Sequence, residues 1–117
     1  MDGEILHADL NDCQNIPKNE QLKEAILNIA KLGNLNFIED EYILHNFKPQ
    51  GCSFILLLRE SHFAVHTFPE SKRVLVDICT CGENIKLKNI EKELISNFQS
   101  ISPEIKIQTR SEFLKGV

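Results

Sequence analysis

The segment Ser53-Phe54-Ile55-Leu56-Leu57-Leu58 constrains the fold more than any other part of this chain. It is a continuous apolar run of strand length, bounded by Gly51 on one side and by Arg59-Glu60 on the other. In an extended chain successive side chains point to opposite faces, so Phe54, Leu56 and Leu58 line one face and Ile55 and Leu57 the other. Both faces are apolar, and a strand of that kind belongs inside a sheet whose two sides are both covered.

The neighbouring segments supply the rest of such a sheet. His62 to Phe68 alternates, with Phe63, Val65 and Thr67 on one side and His62, Ala64 and His66 on the other. Pro69 to Lys72 reads as a turn, and Val74 to Thr80 resumes as a strand. Shorter or weaker strands are expected at Ile5 to Leu10, Leu35 to His45 and Ile105 to Thr109. Two segments have helical period instead. Leu22, Ala25, Ile26 and Ile29 make one apolar stripe, stopped at Gly33, and Leu87, Ile90, Leu94 and Phe98 make another. The order is β-α-β-β followed by β-β-α-β, a pseudo-repeat of mirrored halves. It predicts an α+β two-layer sandwich, a largely antiparallel sheet with two helices on one face. Two helices cover one side of the sheet only. The apolar second face of Ser53 to Leu58 therefore predicts a homodimer, with sheets stacked face to face.

With 117 residues and no linker or low-complexity stretch, the chain reads as a single domain spanning 1–117. Thirteen basic residues against seventeen acidic ones give a net charge of −4, which argues against nucleic acid or an anionic membrane as partner. No apolar run is long enough to span a bilayer, and Met1-Asp2-Gly3-Glu4 lacks the character of a signal peptide, so a cytoplasmic protein is expected. Cys13, Cys52, Cys79 and Cys81 have no secreted-scaffold context, and Cys79-Thr80-Cys81 has no second ligand pair at zinc spacing. Free thiols and no metal site follow.

Chemistry concentrates in Arg59-Glu60-Ser61-His62-Phe63-Ala64-Val65-His66-Thr67-Phe68-Pro69-Glu70 and in Cys79-Thr80-Cys81-Gly82. Upstream stands His45-Asn46-Phe47-Lys48-Pro49-Gln50-Gly51-Cys52-Ser53. With these motifs in register over nearly its whole length, the chain resembles the prokaryotic S-adenosylmethionine decarboxylases. The resemblance implies self-cleavage between Glu60 and Ser61 into a 1–60 chain and a 61–117 chain. Ser61 would attack the Glu60 carbonyl in an N-to-O acyl shift, with Ser53 supporting the tetrahedral intermediate. His66 would take the Ser61 α-proton, and β-elimination with hydrolysis would leave a pyruvoyl group derived from Ser61. That ketone forms a Schiff base with a substrate amine and serves as electron sink for the departing carboxylate. Cys81 is the implied proton donor to the substrate α-carbon. Phe47 and Phe68 would offer aromatic faces to adenine and Glu70 a carboxylate to the ribose hydroxyls. His7, His45 and His62 support the site, and Cys13 and Cys52 are inert.

The implied reaction converts S-adenosylmethionine to the aminopropyl donor for spermidine synthesis. The surroundings depart from the family pattern at Ile5, Phe54, Phe68, Ser71-Lys72 and Cys79. The departures at Phe54, Phe68 and Ser71-Lys72 motivate an alternative, the same pyruvoyl chemistry on ornithine or arginine. Phe47 and Phe68 would be idle on such substrates, which favours the nucleoside. An inactive homologue regulating an active partner has no need of Ser61, His66 and Cys81. A metal or redox module on Cys79 and Cys81 is more remote. The family resemblance also places the site between two protomers, with Phe47 and Ser53 of one expected to reach Ser61 and His66 of the other.

Overall fold

The structure is a computed structural model and describes residues 3–59, 61–81 and 84–115. Its elements run β1 (Glu4–Cys13), α1 (Asn19–Leu32), β2 (Phe37–Asn46), β3 (Cys52–Leu58), β4 (His62–Phe68), β5 (Arg73–Thr80), α2 (Leu87–Phe98), β6 (Ser100–Thr109) and α3 (Arg110–Leu114). The six strands form one sheet in the order β2-β3-β4-β5-β1-β6, and every neighbouring pair is antiparallel. The expected α+β sandwich and both halves of the pseudo-repeat are present. The halves interlock, because β1 inserts between β5 and β6 of the second half.

One face of the sheet carries the core. Leu6, Leu10, Phe54, Leu56, Phe63, Val65, Val74 and Ile78 are sealed beneath Leu22, Ile26 and Ile29 of α1 and Ile90, Leu94 and Phe98 of α2. Each such side chain contributes about 1.5–3 kcal/mol by leaving water, and this burial holds the two layers together. Gly33 does stop α1, though without adopting a left-handed conformation. A Cβ there would lie 2.3 Å from the Ile90 side chain, so the residue is small because α2 crosses the end of α1. At the rim Tyr42 stacks on Phe54 at 5.3 Å, and the Lys23 ammonium lies 4.5 Å from the Tyr42 ring centroid. Its hydrogen bond to the Tyr42 hydroxyl raises the Lys23 pKa.

The other face is more mixed than the β3 pattern alone suggests. Its exposed apolar strand residues lie on the β2–β4 side, at Ile43, Ile55 and Leu57. The β5–β1–β6 side carries ion pairs, His7 Nδ1 to Asp77 Oδ1 at 2.5 Å and Arg73 to Asp9 at 3.7 Å. The sequence reading missed α3, a short C-terminal helix fixed by a capping box. Thr109 Oγ1 accepts from the Glu112 amide, and Glu112 Oε1 accepts from the Thr109 amide. Phe113 of this helix lies against His7 on the open face. No helix among the described residues is long and apolar enough to cross a membrane.

Phe54 has no exposed surface and joins β3 to both the helix layer and Tyr42. Phe54→Ala is expected to cost about 3–5 kcal/mol, seen as a lower urea midpoint with an unchanged denaturant slope.

Candidate active site

The register of the β3–β4 hairpin distributes the candidate residues. Leu58 and Ser61 exchange backbone hydrogen bonds, Leu58 N to Ser61 O at 2.9 Å and Ser61 N to Leu58 O at 3.3 Å. Ser61 therefore lies in the connection between the strands, partly exposed, with Glu60 outside the described residues. Continuing away from the turn, Leu57 pairs with His62, Ile55 with Ala64 and Ser53 with His66. Period-two alternation places Ser53, His62, Ala64 and His66 on the open face.

At the far end of β4 the side chains of Ser53 and His66 meet, with Oγ 2.7 Å from Nδ1. His45 is the cross-strand neighbour of Ser53 on β2, so His45, Ser53 and His66 form one row. The His45 ring stands edge-on to Phe47 at 4.6 Å between centroids. A cleft of about 480 Å³ opens here, lined by Phe47, Gln50, Ser53, His66, Phe68 and Glu70. Phe47 is 51% exposed and Phe68 38%, so both rings are available to a ligand. The cleft floor is cross-linked by a side-chain hydrogen bond and a close backbone approach. Thr67 Oγ1 accepts from the Cys52 amide at 2.9 Å, and Gly51 holds a φ of 101° with its Cα against the Thr67 carbonyl. A Cβ at Gly51 would stand 2.9 Å from that oxygen, in a conformation that favours glycine.

Ser61 and Cys81 occupy the opposite end of the sheet. The register that pairs His62 with Cys79 brings Ser61 alongside Thr80, one residue from Cys81. Gly3, just before β1, fits against the Cys81 thiol, where a Cβ would lie 2.9 Å from Sγ. Gly82 of the second motif falls outside the described residues. Five residue steps separate Ser61 from His66, roughly 16 Å along an extended strand. The expectation that Ser53 of one protomer reaches His66 of another is corrected by the 2.7 Å contact within one chain. In-register antiparallel pairing of β3 and β4 is the reason, since it sets residues 53 and 66 directly opposite.

All four cysteines are free, Cys13 and Cys52 buried, Cys79 and Cys81 partly exposed. Burial pushes the Cys13 thiol pKa up. Among the described residues no group of histidine, cysteine and carboxylate side chains is arranged to hold a metal ion. Two residues that the structure places at these two ends are not marked as candidates by the sequence. Gln50 stands in the upstream motif only as a spacer, and it lines the cleft. Arg110 carried no local signal at all, because only β6 returning beside β1 brings it near Cys81.

Residues 4–111 match the family model described as S-adenosylmethionine decarboxylase, and the chain belongs to that family. It is similar to an S-adenosylmethionine decarboxylase proenzyme of Thermodesulfovibrio yellowstonii, 34% identical over 105 residues, covering 88% of this chain and 76% of that protein. A proenzyme of the same name from Thermoplasma volcanium is 40% identical over 72 residues, covering 62% of this chain and 54% of the relative. The crystal structure of the adenosylmethionine decarboxylase from Aquifex aeolicus superposes with a TM-score of 0.81 at 27% identity, covering 92% of this chain and 89% of that one.

Partial exposure separates the four thiols into two classes. Iodoacetamide is expected to label Cys79 and Cys81 in the folded protein and Cys13 and Cys52 only after denaturation. Mass spectrometry of peptides from each condition checks this.

Proposed function

We propose that this chain is a self-processing carboxy-lyase that decarboxylates S-adenosylmethionine, supplying the aminopropyl donor for spermidine synthesis. The observation that carries the reading is the division of its reactive residues between the two ends of the sheet, whose open face carries Ser53 and His66. Ser61 and Cys81 stand at one end; Ser53, His66 and the Phe47–Phe68–Glu70 cleft stand at the other. Two chains stacked through that face, with strand directions exchanged, would bring each half-site onto its complement. The exposed Ile43, Ile55 and Leu57 would be covered by the same contact, which supports a two-fold homodimer.

Ser61 fits the origin of a pyruvoyl group. It sits in a tight, partly exposed turn where its hydroxyl is next in sequence to the Glu60 carbonyl. Cutting there does not release either fragment. β1, β2 and β3 stay with the 1–60 chain and β4, β5 and β6 with the 61–117 chain. Three of the five strand pairings, β3–β4, β1–β5 and β1–β6, join one fragment to the other. The pyruvoyl group supplies an electron sink for the bond to the departing carboxylate. The chain's own residues do the rest. Ser53, hydrogen-bonded to His66, offers a hydroxyl to the developing oxyanion during processing, and the His66 imidazole accepts the Ser61 α-proton. Cys81 holds the proton returned to the substrate α-carbon. Phe47 and Phe68 flank a cleft of nucleoside size, and Glu70 at its rim offers acceptors to ribose hydroxyls. Both rings facing one cleft supports the nucleoside substrate over ornithine or arginine. Four free thiols support a reducing compartment, and we place the enzyme in the cytoplasm.

Purified chain is expected to split between Glu60 and Ser61, leaving a later fragment that resists Edman degradation. Ser61→Ala stays whole and releases no carbon dioxide, while Cys81→Ala splits and turns over slowly. A single unsplit chain with full activity would sink the mechanism.

Site sharing has its own test, by co-expression. His66→Ala chains paired with Ser61→Ala chains form one intact site and one carrying both lesions, so cleavage of the His66→Ala chain returns. Ser53→Ala with His66→Ala gives no rescue, since both residues belong to the same half-site. Rescue in the second pair and not the first would refute this arrangement.

A further inference from the structure

The reacting end of the sheet holds a cation that no motif announces. Arg110 follows β6, and its backbone amide donates to the Gly3 carbonyl at 2.8 Å. Its guanidinium Nη1 donates to the Cys79 thiol at 3.8 Å. Its Cδ and the Cys81 thiol both lie within 3.5 Å of the point where a Cβ on Gly3 would stand. The Arg110 side chain thus lies where three separated segments meet, against Cys79 and close to Gly3, which also adjoins Cys81. A neutral thiol is a weak acceptor, and Cys79 engages one of the five donors a guanidinium carries. That fork matches a carboxylate far better than it matches sulfur.

We propose that Arg110 is the binding group for the substrate's α-carboxylate. This rests on the decarboxylase reading, in which the amino-acid end of the substrate lies at Ser61 and Cys81 while its nucleoside occupies the cleft of Phe47 and Phe68. The consequence is a difference between substrate and product. The α-carboxylate is the group lost as carbon dioxide, so the substrate makes the contact and the product has nothing to place there. Arg110 therefore favours exchange of spent product for fresh substrate. The contact belongs to the ground state and fades as the carbon–carboxylate bond breaks, so it serves binding rather than the chemical step.

The test needs no turnover. In the uncleaved Ser61→Ala chain, S-adenosylmethionine and its decarboxylated product are titrated separately by calorimetry. Adding Arg110→Ala is expected to weaken the acid on the order of tenfold, the scale of one charge-assisted pair, and to leave the product unchanged. Arg110→Lys, which keeps the charge without the fork, restores part of the loss. In the cleaved enzyme Arg110→Ala raises KM by a similar factor, does not lower kcat, and leaves product inhibition as it was. Equal weakening of both ligands would mean that Arg110 only holds Cys79 and α3 in place, and would overturn the assignment. So would no weakening of either, or no preference for the acid in the chain that retains Arg110. Failure of the decarboxylase reading itself would show separately, as a wild-type chain that releases no carbon dioxide.

Discussion

The register of the β3–β4 hairpin governs everything else in this molecule. Leu58 and Ser61 close it with paired backbone hydrogen bonds, and from that closure each opposed pair is fixed, ending with Ser53 against His66. A slip by one residue would turn Phe54 and Leu56 out of the core and turn Ile55 and Leu57 into it. Burial of Phe54, Leu56, Phe63 and Val65 beneath the helices therefore holds the register, and the register holds the chemistry.

From that constraint follows the separation of the reactive groups. A rigid strand cannot fold back to bring His66 to Ser61. In the proposed dimer the needs of the reaction are met by pairing two ends of one sheet with two ends of another. The face is suited to this in composition as well as in geometry. Its apolar side, around Ile43, Ile55 and Leu57, gives area to bury. Its polar side pairs His7 with Asp77 and Asp9 with Arg73 within the chain, which lessens the cost of taking those charges out of water.

The interlocked strand order answers a second need. A protein that cuts its own backbone must survive the cut. With β1 clasped between β5 and β6, and β3 against β4, the fragments of the proposed cleavage would remain a single sheet over a single core. The same return of β6 beside β1 brings Arg110 and Gly3 to the Cys81 end, so one topological feature joins the two halves and sets a guanidinium beside Cys81.

Local pattern carried much of this in the sequence. Alternation fixed the face of every residue from His62 to Thr67, helical spacing fixed the stripes of α1 and α2, and the motifs carried Ser61, His66, Cys81 and Ser53. Strand ends were less legible, and β6 began at Ser100 rather than Ile105 because pairing with β1 extends it through Pro103, which pattern alone disfavours. Only the tertiary structure decided which candidates share a half-site, since cross-strand register is a property of two segments and not of either. It alone revealed α3, whose capping box follows no apolar stripe, and the mixed character of the open face. Arg110 illustrates the limit most plainly. Its place beside Cys79 and Cys81 depends on the path of β6 across the whole sheet, and no local periodicity records a path.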